Sequence, residues 1–174
     1  MSATGVALFD ARIGRCGLAW GAHGIVGVQL PEAAGAERAR LLRRFPDARE
    51  ERPPPPVADA IDRLVRHLAG ESPDLDTIAL DLTGVAEFDR RVYGVTRAIR
   101  RGQTRTYGEG AAAIGDPAAA RAVGQSLGRN PFPLVVPCHR VLAADGRPGG
   151  FSAHGGVVTK LRLLATEGAP GNTE

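Results

Sequence analysis

The residues with the most chemical potential are consecutive: Pro137-Cys138-His139-Arg140-Val141. A thiol beside an imidazole is the raw material of a nucleophile, because the thiolate is the reactive form and a nearby base or cation lowers its pKa. Adjacent residues on an extended chain point to opposite sides, so the His139 ring must reach the sulfur through a turn or a bridging water. A carboxylate from elsewhere should orient its second nitrogen. The acids after the motif are Asp145, Glu167 and Glu174. Glu167, ending a helix predicted from Val157, Leu161 and Leu164, is the best placed. Taken alone, a Cys-His pair is a weak signal, since a buried cysteine beside a surface histidine arises often by chance. The other thiol, Cys16, reads with His23 as a small buried hydrophobe and a surface imidazole. Two cysteines cannot make a disulfide framework, and one near His23 is too few for structural zinc, so no metal is expected.

Elements that must hold these groups follow from periodicity and punctuation. Asn130-Pro131-Phe132-Pro133 reads as a rigid turn, and Leu134 to Val136 as a short buried strand leading into the motif. Upstream, Phe88, Val92, Val95 and Ile99 mark one face of a helix ending near Gly102, whose other face carries Arg90, Arg91, Arg97, Arg100 and Arg101. A second helix starts at Thr106 or Tyr107 and ends by Gly115. Asp116 is then a natural N-cap, with Pro117 at the first helical position, for a third helix toward Leu127. That pair makes a helix-turn-helix, yet its second helix offers mostly Ala and Gly with one Arg121. It has almost no side chain long enough to read bases in the major groove. It either packs tightly in a small core or lies against a shallow groove with Arg121 as its single probe.

The first half has less evident chemistry. Val6 to Leu30 is apolar and Gly-punctuated, which predicts two or three short antiparallel strands with tight turns. Residues 35–44 have helical composition. Pro46 to Pro56 reads as a surface linker whose four final prolines exclude helix and central strand. Val57, Ile61, Leu64, Val65 and Leu68 then recur at helical spacing before Gly70, and Thr77 to Leu82 is one more candidate strand.

The chain has 174 residues, 43% hydrophobic, enough for one compact domain or two small ones. No apolar run reaches the roughly 18 to 20 residues of a membrane span, and no signal core opens the chain, so a cytoplasmic protein without membrane contact is expected. The net charge of +3 is unevenly spread. Residues 1–89 carry 10 Arg and 14 acids, net −4, whereas residues 90–174 carry 12 cations and 5 acids, net +7. A basic half either meets a polyanion or is simply a solvated surface. Of the 22 cations only Lys160 is a lysine.

Taken together, Thr106-Tyr107-Gly108-Glu109, Ala120-Arg121-Ala122-Val123-Gly124, Gly128-Arg129-Asn130-Pro131, Pro137-Cys138-His139-Arg140-Val141 and Leu163-Leu164-Ala165-Thr166-Glu167-Gly168 resemble the O6-alkylguanine-DNA alkyltransferases of DNA repair. The resemblance runs from about Phe88 to Gly168, with five motifs in order, and is weaker over residues 1–83. It implies an α/β (α+β) chain: a small ribonuclease H-like α/β domain over 1–83, then a helical winged-helix-like DNA-binding and alkyl-transfer domain over 84–174. It further implies that Cys138 takes the alkyl group from O6 of guanine in double-stranded DNA, once and irreversibly, with no cofactor. In that scheme His139 is the base through a water, Glu167 orients it, Tyr107 protonates the departing guanine and Asn130 braces the turn. Arg121 enters the stack vacated by the flipped base, while Ala119, Ala120, Ala122 and Gly124 press on the minor groove and Arg129 joins the DNA-facing set. Pro133, Val141, Phe151 and Ser152 would form the guanine pocket. The protein is expected as a monomer, with cooperative assembly on DNA left open.

Four departures stand out. Tyr93 replaces a common Trp, Ile99-Arg100-Arg101-Gly102 replaces an Ile-Pro-Tyr-Gly run, Gly110 replaces a large apolar residue, and Gly150 to Gly156 reads as a longer loop after the motif. The alternative is a lesion-binding module that signals damage without transferring the group. Cys138 argues against it, because the alkyltransferase-like subfamily that only binds the lesion lacks the reactive cysteine.

Overall fold

The computed structural model describes residues 2–149, 151, 153 and 155–169. The chain is a mixed α/β protein that divides into two compact units, Met1–Gly84 and Val85–Glu174.

In the first unit, β1 (Gly5–Ala11), β2 (Gly14–Gly21) and β3 (Gly24–Gln29) form an antiparallel meander joined by two-residue loops. α1 (Glu37–Arg44) packs on it through Leu41, with Phe45 just beyond, against Val6, Ala19 and Val26. The glycines do more than turn corners. A Cβ at Gly27 would lie 2.7 Å from the Phe45 ring, so a side chain there would push the helix off the sheet. The expected linker also holds structure. β4 (Arg49–Glu50) adds to the edge of β1 in parallel, giving the order β3-β2-β1-β4. α2 (Pro55–Leu68) then begins inside the proline run, contrary to the expectation that those prolines exclude helix. Pro55 and Pro56 occupy the first turn, where backbone N–H groups have no helical acceptor and a fixed φ is an advantage. Thr77 to Leu82 is not a strand either; a single bridge, Ile25 to Leu80, is held by two backbone hydrogen bonds of 2.8 and 2.9 Å.

The second unit is mostly helical: α3 (Glu87–Arg97), α4 (Tyr107–Ala113), α5 (Ala120–Gly128) and α6 (Val157–Thr166). α3 stops at Arg97, and residues 98–102 turn on a positive-φ Gly102. α4 starts with a reciprocal cap: Thr106 Oγ1 accepts from the Glu109 N–H, and Glu109 accepts from the Thr106 N–H. α5 begins later than the Asp116 cap predicted. Asp116 instead opens a turn in which its carbonyl accepts from the Ala119 N–H, and Ala119 is the N-cap. Two short strands, β5 (Arg105–Thr106) and β6 (Val141–Leu142), pair in parallel, Arg105 with Val141 and Thr106 with Leu142. That ladder ties the residue before Tyr107 to the residues after Arg140.

Candidate active site

The segment before the thiol is a turn rather than the strand expected over Leu134 to Val136. The Val136 N–H bonds to the Phe132 carbonyl at 2.8 Å, and Leu134 sits at φ 77°, a left-handed conformation uncommon outside glycine. Phe132, Leu134 and Val136 are all buried in that turn. Asn130 stitches it. Its Nδ2 donates to the Val136 carbonyl at 2.9 Å, and its Oδ1 accepts from the Phe132 N–H at 2.9 Å. Cys138 to Arg140 then forms one turn of 3-10 helix, which resolves the opposite-sides problem posed by an extended chain.

All three residues of that turn are buried, and the last two meet one carboxylate. His139 Nε2 lies 2.7 Å from Glu167 Oε1, while Arg140 donates to both Glu167 oxygens, from Nε at 2.9 Å and Nη2 at 2.8 Å. Arg140 Nη1 donates to the Ile99 carbonyl at 2.7 Å. A buried ion pair is sound only when its remaining hydrogen-bonding positions are filled, and three donors on one carboxylate meet that condition. Since the carboxylate accepts at Nε2, that nitrogen carries the hydrogen and Nδ1 keeps the lone pair of a base.

Cys138 is 8% exposed, and burial pushes its thiol above the usual range. Opposing that, the Asn130 side chain hydrogen-bonds the sulfur, the Lys160 ammonium attracts a thiolate, and the backbone at residues 138 and 139 adds hydrogen bonds. Tyr107 is half-buried as the first residue of α4, its ring beside α5, where a Cβ on Gly124 would lie 3.7 Å away. Burial and then the Cys138 charge hold its phenol above its ordinary pKa.

On α5, Arg121 is exposed and Ala119, Ala120, Ala122 and Gly124 are half-buried, while Val123 and Leu127 fill the core. Arg129, expected among the DNA-facing residues, makes a two-pronged pair with the carboxylate of Asp89 at 2.8 and 3.1 Å. Burial alone would raise the Asp89 pKa, but this partner holds it below the ordinary value. Of the pocket residues, Pro133 and Phe151 are half-buried and Val141 is buried; Ser152 lies outside the described residues. Sequence reasoning overlooked Lys160, whose one signal was that it is the only lysine. Tyr93, in place of Trp, donates to the Ser126 carbonyl at 3.1 Å and so links α3 to α5. Beside Gly110 a cleft of about 460 Å³ opens between α3 and α4, lined by Val95, Ile99, Ala113 and Val123 among others. Among the described residues no cluster of three His, Cys, Asp or Glu could hold a metal, and no helix is long and apolar enough to cross a membrane.

The family model described as the 6-O-methylguanine DNA methyltransferase DNA-binding domain matches residues 87–169. A methylated-DNA–protein-cysteine methyltransferase of Methanothermobacter thermautotrophicus is 38% identical over 152 residues, 87% of this chain and 78% of the relative. The protein of that name from Mycolicibacterium paratuberculosis is 48% identical over 114 residues, 66% of this chain and 67% of its own length. Among solved structures, Mycobacterium tuberculosis OGT in complex with DNA is 34% identical with a TM-score of 0.76, covering 96% of both chains. The O6-methylguanine-DNA methyltransferase of Pyrococcus kodakaraensis is 27% identical with a TM-score of 0.74, covering 94% of this chain and 99% of that one.

Proposed function

Because the chain belongs to the O6-methylguanine-DNA methyltransferase family, we propose that it repairs DNA by direct reversal, moving the methyl group of O6-methylguanine onto Cys138. The observation that carries this reading is the buried relay in which Glu167 fixes the His139 tautomer beside a thiol that Asn130 and Lys160 prepare for ionisation. Cys138 loses its proton to His139 Nδ1 through a water, the resulting thiolate attacks the methyl carbon, and the bond from that carbon to O6 breaks as the Sγ–C bond forms. The departing guanine takes a proton from the Tyr107 hydroxyl. A thioether has no competent leaving group, so the reaction ends there and each molecule acts once.

The methyl group is out of reach inside a duplex, so the base must leave the stack. The surface of α5 is suited to extracting it, since small residues permit close approach to the minor groove and the exposed Arg121 is long enough to fill the vacancy. Arg129, exposed at the end of α5, would join the DNA-facing set while its pair with Asp89 holds α3 to that end of α5. Pro133, Val141, Phe151 and Ser152 would receive the flipped guanine.

Incubation with duplex containing O6-methylguanine, followed by intact-mass measurement, should show one added methyl per chain. Cys138→Ser should show none. An unmodified wild-type mass would reject the proposal.

A further inference from the structure

Lys160 is 1% exposed, on the inward face of α6, and the methyl-transfer scheme uses it only as a charge. Burying an ammonium is expensive unless its donors are used. Its Nζ donates to the Val141 carbonyl at 2.6 Å and to the Tyr107 hydroxyl oxygen at 3.5 Å, with the ring centroid 5.7 Å away. The direction of the second bond matters. Lysine has donors only, so the phenol oxygen accepts from it and the phenol's own hydrogen is directed elsewhere. The order is ammonium, phenol, and then whatever accepts from the phenol.

Resting on the methyl-transfer function, we propose that Lys160 re-protonates Tyr107, so that the proton reaching the departing guanine is replaced from the ammonium and no buried tyrosinate is left behind. The step balances. The Sγ–C bond forms and the C–O6 bond breaks; the Tyr107 proton goes to guanine, and a Lys160 proton goes to the Tyr107 oxygen. The lysine ends neutral, His139 ends protonated, and the site's total charge is unchanged.

Two electrostatic features support this order. Burial disfavours ionised Tyr107, so unaided donation would leave a costly anion. Burial also brings the Lys160 pKa down to about 8, opposed by the Cys138 thiolate. Methylation turns that thiolate into a neutral thioether, which removes the opposing charge and frees the lysine proton when it is needed. The titratable groups facing Lys160 are Tyr107 of α4 and Cys138 of the 3-10 turn.

The test is rapid-quench methyl transfer in a single turnover on the methylated duplex, with the full-length chain across the pH range in which Lys160 titrates. In the wild type the rate should fall as pH rises above about 8, where the ammonium is lost. Lys160→Met should lower the rate by about 10- to 100-fold, a modest share of a general-acid contribution, and abolish that limb. In a Tyr107→Phe background the same change should cost much less than it does alone, leaving only the lost pull of the cation on the Cys138 thiolate. A wild-type rate that stays level or rises above pH 8 overturns the relay without recourse to any variant. So does an additive loss in the double variant. Wild-type protein that takes up no methyl at all would instead reject the underlying function.

Discussion

Cys16 and Cys138 are both buried cysteines in one chain, and their surroundings make them different reagents. Cys16 lies on β2, fully enclosed, and burial followed by the nearby Glu37 and Asp10 carboxylates drives its pKa up to about 12. Its one weak hydrogen bond is donated to the Gly14 carbonyl at 3.8 Å. Everything near it favours the proton staying on sulfur. Cys138 suffers the same desolvation, yet an amide, a cation and backbone hydrogen bonds act on the side of the thiolate. Burial alone therefore protects a thiol; burial with donors aimed at the sulfur stores a nucleophile.

The largest expected difference is in labelling. In the folded protein at about pH 8 a small thiol reagent should modify Cys138 and leave Cys16 untouched, and both should react in denaturant. Equal labelling of the two in the folded state, read by peptide mass, would erase the contrast. Next comes Glu167→Gln, which removes the carboxylate that His139 and Arg140 share. Methyl transfer should fall by about 100-fold or more. Urea unfolding should show a loss of about 3 to 5 kcal/mol, because buried Arg140 loses its counter-charge. The smallest effect belongs to Asp89→Asn. The clamp onto Arg129 is half-exposed at its arginine end, so stability should drop by about 1 kcal/mol or less and transfer by only a few-fold. A loss as large as that of Glu167→Gln would mean that the clamp, rather than the buried carboxylate, governs the thiol.

Much of the site was legible in the residues themselves. Cys138 and His139 declare their chemistry by adjacency, and Glu167 was recoverable because so few acids follow them. Helical spacing located α2, α3 and α6. What could not be read depends on partners distant in the chain. The left-handed Leu134 lies in a buried turn with Phe132 and Val136, and nothing local distinguishes that turn from a strand. The pairing of residues 105–106 with 141–142 is too short to leave an alternating pattern. Lys160 resembled a surface cation because lysines usually are, and only the fold carries it to Tyr107. The prolines at 55 and 56 misled because their cost applies to a helix interior, not to its first turn.

The two-residue ladder of β5 and β6 also bears on the order of assembly. It must bring together stretches 36 positions apart, and the Glu167 contact closes a further 27 or 28 positions. Loop closures of that span follow local helix formation. During synthesis Cys138 therefore emerges before the carboxylate that arms it. The thiol lacks the carboxylate that orients His139 until the end of α6 has been made.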